Sequence, residues 1–407
     1  MDTIFAERRL RLSQSLPEGA GAVFFSGEEI PLGVDMVYPF SVDRNFYYLT
    51  GLDMPGASLW ISREQTILFL PPFDPKRELY EGPQETREEL CARAGVTATD
   101  CCDTAAPEDL WSLLPKTRRL FLDLKRPEGG GLKTPAARLA CCARDSGVEP
   151  ENIYRMVYTL RAVKDGGEIA AIRRAIDLTG EGLAHMVRSC RAGMREYEWR
   201  AAFEAFLSGR GCSTSFPSIA ACGGNAVFLH YTRANSTVRT GELFLFDVGA
   251  YCDHYAADIS RTYPVGAPFT PRQREVYQLV YDATRLVLEK MQPYRPYRDH
   301  VEALQAFFAR YIRPLHIVDT PLEEERFLHM LSRGCCHHLG LDAHDAYAEL
   351  DDLLLPGMVF TNEPGVYLRR EGIGVRIEED LLITETGNEL LSRNIPASPD
   401  AVLDLLS

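Results

Sequence analysis

The chain has 407 residues, 45% of them hydrophobic, 25% charged and 10% aromatic, and its formal net charge is −14. That length predicts two domains, the composition is that of a folded globular protein, and the acidic balance argues against a nucleic-acid partner. No stretch approaches the roughly 20 apolar residues of a membrane span, and MDTIFAERRLRLSQ carries charges where a signal peptide needs an apolar core, so a cytoplasmic protein without membrane contact is expected.

Residues 1–158 alternate short β-rich runs (GAVFFS, SLWIS, TILFLPP, RLFLDL) with helical patterns, of which TPAARLACCARD is the clearest. This predicts a smaller α/β N-terminal domain with a mixed sheet. Within it, YPFSVDRNFYYLTGL is dense in aromatics from Tyr38 to Tyr48. That density predicts an aromatic core layer at a strand-turn-strand corner; a subunit interface or substrate pocket is the alternative. The 11 cysteines include three vicinal pairs, Cys101 with Cys102, Cys141 with Cys142 and Cys335 with Cys336, and no CxxC spacing. Reduced thiols are expected rather than a disulfide framework or a zinc module.

A boundary falls near YRMVYTLRAVKDGGEIAAIRRA, where an Asp-Gly-Gly breaker precedes the helical spacing of Ile169, Ile172 and Ala175. From 159 to 407 the chain reads as two similar halves. The first has helices around 167–191 and 197–208 followed by strands. The second has helices around 271–292, 298–312 and 324–332, again followed by strands. The expectation is a pseudo-twofold α+β domain.

Each half ends by donating two acids from neighbouring strands. Asp247 and Asp258 stand in LFLFDVGAYCDHYAADISRT, Glu363 in MVFTNEPGVYL, Glu378 in GIGVRIEED, and His337 in CCHHLGLDAHD. Taken singly, each has a plain structural reading: a strand-end aspartate, a helix cap or a partner for Arg261, a core histidine. Together they form an ordered set in apolar or glycine-rich surroundings. Four carboxylates in one buried pocket need about four compensating positive charges, since repulsion and desolvation would otherwise protonate them. Two divalent cations supply that charge. Oxygen-rich ligation with one imidazole favours Mn²⁺ or Co²⁺, with Zn²⁺ as a further option. The spacing of Asp247 and Asp258 suits adjacent antiparallel strands joined by a tight connection containing Gly249.

At these residues the sequence resembles a known family. LHYT, DVGAYCDHYAADISRTYPV, HHLGLDAHD, TNEPGVY and GVRIEED are similar to the motifs of the pita-bread metallopeptidases, specifically aminopeptidase P and prolidase. ERRLRL, YPFSVDRNFYYLTG, LFLPPFD and ELYEG resemble the creatinase-type N-terminal domain of the same proteins. The resemblance implies a C-terminal pita-bread catalytic domain in which Asp247 chelates one metal, His337 and Glu363 the other, and Asp258 with Glu378 bridge the two. It implies attack by a hydroxide held between the metals, with Glu363 as proton shuttle. His230 and His344 match substrate-binding histidines, the latter facing the developing oxyanion, and Tyr367 and Arg376 match residues that orient substrate or ligands. The implied substrate is a peptide with proline second, cleaved to release its first residue, and the implied assembly is a dimer or tetramer of identical chains.

Two segments depart from the pattern. The family usually has a histidine four residues before the ligand histidine, where this chain has Arg333 in SRGCCHH, which places a cation near the proline end of the substrate. In ELYEGP, Tyr80 stands where aminopeptidase P has tryptophan, and an arginine is missing near Pro83, a segment that in relatives reaches a neighbouring subunit's site. The short connection LRREGIGV and the tail NIPASPDAVLDLL favour aminopeptidase P over prolidase, a dipeptidase. A non-catalytic pita-bread binding protein and a metal-free creatinase-like hydrolase are both disfavoured by the presence of all five ligands.

Overall fold

The computed structural model describes residues 3–104, 106–124, 134–318, 320–345 and 352–406, without the side chains of 330 and 332–334. The chain divides into two compact units, Met1–Arg161 and Ala162–Ser407. Among the described residues no helix is long and apolar enough to cross a membrane.

The first unit is built on a six-stranded mixed sheet. Its strands are β1 (Ala20–Phe25), β2 (Ser58–Ser62), β3 (Thr66–Leu70), β4 (Cys101–Asp103), β5 (Arg119–Leu122) and β6 (Glu151–Asn152), in the order β4-β3-β2-β1-β5-β6. β1 runs antiparallel to β2, with Val23 opposite Trp60, and parallel to β5, with Val23 opposite Leu122. The helix Pro135–Asp145 starts at a Thr134 cap and buries Leu139, Ala140 and Ala143 against Val23, Trp60 and Leu120. Gly21 is required beneath this layer, because a Cβ there would lie 1.9 Å from the Trp60 ring.

The aromatic segment is not a strand-turn-strand corner. Asp43 accepts hydrogen bonds from the backbone N–H of Asn45 and Phe46 and so opens a helix over Arg44–Thr50, which Gly51 closes in the left-handed region at φ 67°. A good N-cap and a glycine C′ outweigh the β-propensity of Phe46, Tyr47 and Tyr48. Phe46, Tyr48 and Leu49 face inward with at most 1% exposure, whereas Tyr38 is 51% exposed, so only the helical part of the segment joins the core.

The second unit repeats a motif of long helices followed by antiparallel strands. The helices Gly166–Ser189 and Glu196–Ser208 precede β7 (Ser213–Thr214), β8 (Ile219–Cys222), β9 (Leu243–Val248), β10 (Ala250–Cys252), β11 (Tyr255–Ala256) and β12 (Ile259–Pro264). The helices Pro271–Lys290, Arg298–Tyr311 and Pro321–Gly334 precede β13 (Val359–Asn362), β14 (Gly365–Leu368), β15 (Ile373–Arg376), β16 (Glu379–Ile383) and β17 (Asn388–Leu390). β12-β9-β8 and β13-β16-β17 form two three-stranded sheets, one per half. The halves are stitched together where the Glu378 N–H donates to Ser260 O at 3.0 Å and the Asp258 N–H donates to Asp380 Oδ2 at 3.2 Å.

Capping boxes set the helix starts: Asp165 with Glu168, Thr270 with Gln273 and Thr320 with Glu323. The helix Gly166–Ser189 then buries Ile172, Ala175, Ile176, Leu183 and Met186 at three- and four-residue spacing. Burying each of the larger side chains stabilises the fold by roughly 1.5–3 kcal/mol.

Two expectations change here. Cys212 and Cys252 are bonded to each other, so the thiols are not all reduced; nine other cysteines are free. The cause is register. β7 pairs antiparallel with β10, Ser213 opposite Tyr251, which places Cys212 across from Cys252 with Cα atoms 5.1 Å apart. The connection between Asp247 and Asp258 is also not a tight turn at Gly249. The chain runs on through β10, reverses at Asp253 and His254, both at positive φ, and returns through β11.

Candidate metal centre

The five sequence-predicted ligands meet in one cleft of about 440 Å³, where Asp247, Asp258, His337, Glu363 and Glu378 all contribute to the lining. Ligand atoms of Asp258, His337 and Glu378 lie within 4.8 Å of one another. Each reaches the cleft by a local rule. β9 places Leu243, Phe244, Leu245 and Phe246 in the core at no more than 2% exposure, and Asp247 follows them, paired in register with Ile219 of β8 and Ser260 of β12. Asp258 immediately precedes β12. Glu363 and Glu378 stand just outside β13 and β16, where the backbone leaves the ladder.

Although the chain does not reverse at Gly249, the missing side chain lets the strand carrying Asp247 pass close to Ala257, next to Asp258. A Cβ at this position would lie 1.7 Å from Ala257 O and 2.3 Å from Ser215 Oγ. Gly249→Ala is therefore expected to cost about 1–3 kcal/mol through overpacking and to weaken metal binding. A thermal melt and a metal titration check both. Wild-type values in the two measurements would show that this approach does not hold the acids in place.

His337 is aimed by its neighbours. The segment around it pairs with β13: the Thr361 N–H donates to His337 O at 2.9 Å, and the His337 N–H donates to Thr361 Oγ1 at 3.1 Å. Its Nδ1 lies 3.1 Å from His338 O, which leaves Nε2 for the cleft, 3.4 Å from Glu363 Oε1 and 3.6 Å from Asp258 Oδ2. Burial, with His344 beside it, lowers its pKa to about 3, so the ring is neutral across the physiological range and could serve as a ligand.

The acids show the electrostatic cost of gathering. Burial, then Asp247 and Glu363, push Asp258 well above the ordinary carboxylate range. Burial, then Asp258 and Glu363, do the same to Glu378. Burial raises Glu363 to about 8, with Arg376 opposing and Asp247 reinforcing. Asp247 Oδ1 is buried without a hydrogen-bond partner among the described residues. Carboxylates held against their own repulsion, one aimed imidazole and an orphaned carboxylate oxygen together fit hard divalent cations.

The second layer was only partly predicted. Arg376, 3% exposed, pairs with Asp247 Oδ2 and donates to Ser260 Oγ at 2.7 Å and Tyr367 Oη at 3.1 Å. Ser260 Oγ in turn donates to Glu378 Oε2 at 2.8 Å. This chain of contacts orients Asp247 and Glu378, and Arg376 and Tyr367 line the same cleft. His230 and His344 both line the cleft, the His344 ring stacked on His337 at 3.9 Å between centroids.

Arg261, the alternative partner considered for Asp258, instead binds Glu379 at 2.9 Å and the carbonyls of Pro396 and Glu378. Arg333 lies in the helix Pro321–Gly334, but its side chain is outside the described residues. Sequence reading missed Ser260, Thr361 and Asp380, whose roles depend on partners more than 20 positions away. It also missed the apolar wall formed by Phe216, Ile219, Leu229 and Leu331.

Comparison with known proteins gives the family of the chain. Residues 170–385 match the family model for metallopeptidase family M24, and residues 5–117 match that for the aminopeptidase P N-terminal domain. A Xaa-Pro aminopeptidase of Haemophilus influenzae is 31% identical over 414 residues, covering 96% of this chain and 94% of that protein. A Xaa-Pro aminopeptidase of Escherichia coli is 28% identical over 433 residues, covering 99% and 97%. The low-pH form of Escherichia coli aminopeptidase P superposes with a TM-score of 0.87 at 27% identity, covering 99% of this chain and 97% of that one.

Proposed function

The chain belongs to metallopeptidase family M24, and from that premise we propose that it releases the first residue of peptides whose second residue is proline. The observation that carries this reading is the meeting of Asp258, His337 and Glu378 within 4.8 Å in a cleft that Asp247 and Glu363 also line. Asp247 would hold one divalent cation, His337 and Glu363 a second, and Asp258 with Glu378 would serve both. Mn²⁺ suits this oxygen-rich set best, ahead of Co²⁺ or Zn²⁺. When bound, the pair supplies Lewis acidity toward the scissile carbonyl and lowers the pKa of water toward neutrality.

The chain's own residues do the rest. Glu363 accepts a proton from the attacking water and returns it to the departing proline nitrogen. His344, which lines the cleft, donates a hydrogen bond to the carbonyl oxygen as charge develops there, and His230, on the same cleft wall, contacts the substrate. Tyr367 and Arg376 hold Asp247 in place. Proline removes the N–H that ordinary peptidases use and fixes the backbone, and Phe216, Ile219 and Leu229 offer an apolar wall for a substrate of that shape.

All these side chains belong to the catalytic domain, taken as 159–407, which follows in sequence an N-terminal domain taken as 1–158. A cytoplasmic location belongs to the same reading, supported by the nine free cysteines. So does a homo-oligomer, supported by exposed apolar side chains on the N-terminal unit, among them Ile30, Val34, Met36 and Tyr80.

The test is turnover of Mn²⁺-loaded protein on a dipeptide Xaa-Pro and on a longer Xaa-Pro-Xaa. Release of the first residue from the longer peptide is expected. Cleavage of the dipeptide alone would identify a dipeptidase instead, and turnover of neither would point to a binding protein.

A further inference from the structure

His230 reaches the cleft from a segment with little regular structure. Between β8 and residue 236 the chain makes a single 3-10 turn over Gly223–Val227 and then an open loop. Phe228 and Leu229, just before His230, are 51% and 43% exposed. Such a loop would wander unless something fixed it, and a misplaced histidine is of little use to a reaction that depends on position.

What fixes it is one carboxylate. Glu196, the first residue of the helix Glu196–Ser208, is 0% exposed. Its Oε1 accepts from the Cys222 N–H at 2.8 Å and from Asn225 Nδ2 at 2.9 Å. Its Oε2 accepts from Tyr231 Oη at 2.9 Å and from the Ser236 N–H at 2.8 Å. The Glu196 N–H also donates to Ser236 O at 3.0 Å. Both ends of the loop, its 3-10 turn and the residue next to His230 thus converge on one side chain. Asn225 Nδ2 reinforces the hub through Tyr231 Oη at 3.1 Å and Ser236 Oγ at 2.8 Å.

The chemistry requires a carboxylate. A buried charge is costly unless it is fully hydrogen-bonded, and here four donors meet two acceptor oxygens. An amide has only one acceptor oxygen, and its NH₂ would face a backbone N–H with nothing to offer it. Position at the first turn of a helix favours the negative charge further. Tyr231 also packs against the cluster of Ile219, Ala221, Ala226 and Leu245, so the anchor beside His230 is apolar on one side and charged on the other.

We propose that Glu196 is a positioning residue for the reaction: it braces the loop 222–236 and thereby sets His230 on the cleft wall. This rests on the role given to His230 under the proposed function, and the experiment separates the two. Glu196→Gln is made alone and with His230→Ala, and kcat and KM on an Xaa-Pro-Xaa peptide are measured together with hydrogen exchange of the Cys222 and Ser236 amides. The two amides are expected to exchange at least about tenfold faster in Glu196→Gln, the scale of losing a hydrogen bond to a charged group. kcat/KM is expected to fall about tenfold with His230 present and less than about twofold when His230 is already alanine.

Equal losses in both backgrounds would overturn the proposal, as would unchanged exchange of the two amides. If His230→Ala by itself changes nothing, the role of His230 fails, and the brace is decided by the amide exchange. Tyr231→Phe, which removes one of the four contacts and keeps the ring, carries the same cycle if Glu196→Gln does not fold; it is expected to show a smaller loss, with the same dependence on His230.

Discussion

Replacing Glu363 with alanine is expected to lower kcat by at least about 10³-fold, within the range of 10²–10⁴ that a well-placed proton-transfer group supplies. Two proposed roles fall together in this variant, since the proposed function gives Glu363 both a place among the ligands and the carriage of the proton. Its backbone N–H is held by Cys335 O at 2.9 Å, and Pro364 follows directly, so the local fold does not depend on the carboxylate and the metal-free variant should melt no lower than the metal-free wild type. Glu363→Gln separates the roles. An amide oxygen still offers a metal ligand but no base, so metal content should be largely kept while turnover is lost. Retained turnover in either variant would mean that the proton is carried elsewhere and that the centre is misassigned.

How much of this was legible before any coordinates depends on the range over which each interaction acts. Asp247 was legible because Leu243, Phe244, Leu245 and Phe246 announce a strand buried on both faces, where a following acid needs a reason. Glu363 was legible because Pro364 ends the strand just after it. The mixed sheet of the N-terminal unit and the repeated helix-then-strand order of the C-terminal unit followed from periodicity and turn chemistry, which are local. Harder features came from distant partners. Cys212 and Cys252 are 40 positions apart and meet only because β7 pairs with β10 in one register. Arg376 approaches Asp247 across 129 positions, and Glu196 gathers donors from 26 to 40 positions away. The helix at Arg44–Thr50 was missed for a different reason: aromatic β-propensity was read ahead of the Asp43 cap and the Gly51 stop.

Metal removal is expected to change stability in a way that depends on pH, and the sign follows from the acids themselves. Asp258, Glu363 and Glu378 have pKa values raised in the folded, metal-free protein, Glu363 to about 8. The folded state therefore keeps protons that the unfolded chain has already released. Below about pH 4 both states are protonated and the difference vanishes; as pH rises from there through about 8, the metal-free fold loses stability relative to the unfolded chain. Cations reverse this, because they bind the charged forms that the bare pocket resists. A cation at about 100 times its Kd adds about 2.7 kcal/mol, and for a unit of this size each kcal/mol moves Tm by roughly 2–4 °C. Adding Mn²⁺ to chelator-treated protein should thus raise Tm by about 5–10 °C at pH 8 and by less than about half of that at pH 5.5. The metal-free protein alone should melt higher at pH 5.5 than at pH 8. A shift of equal size at both values would show that the groups releasing protons to the metal are not these carboxylates, and the ligand set would have to be redrawn around the other donors lining the cleft, His230, His337, His344, Cys335 and Tyr367.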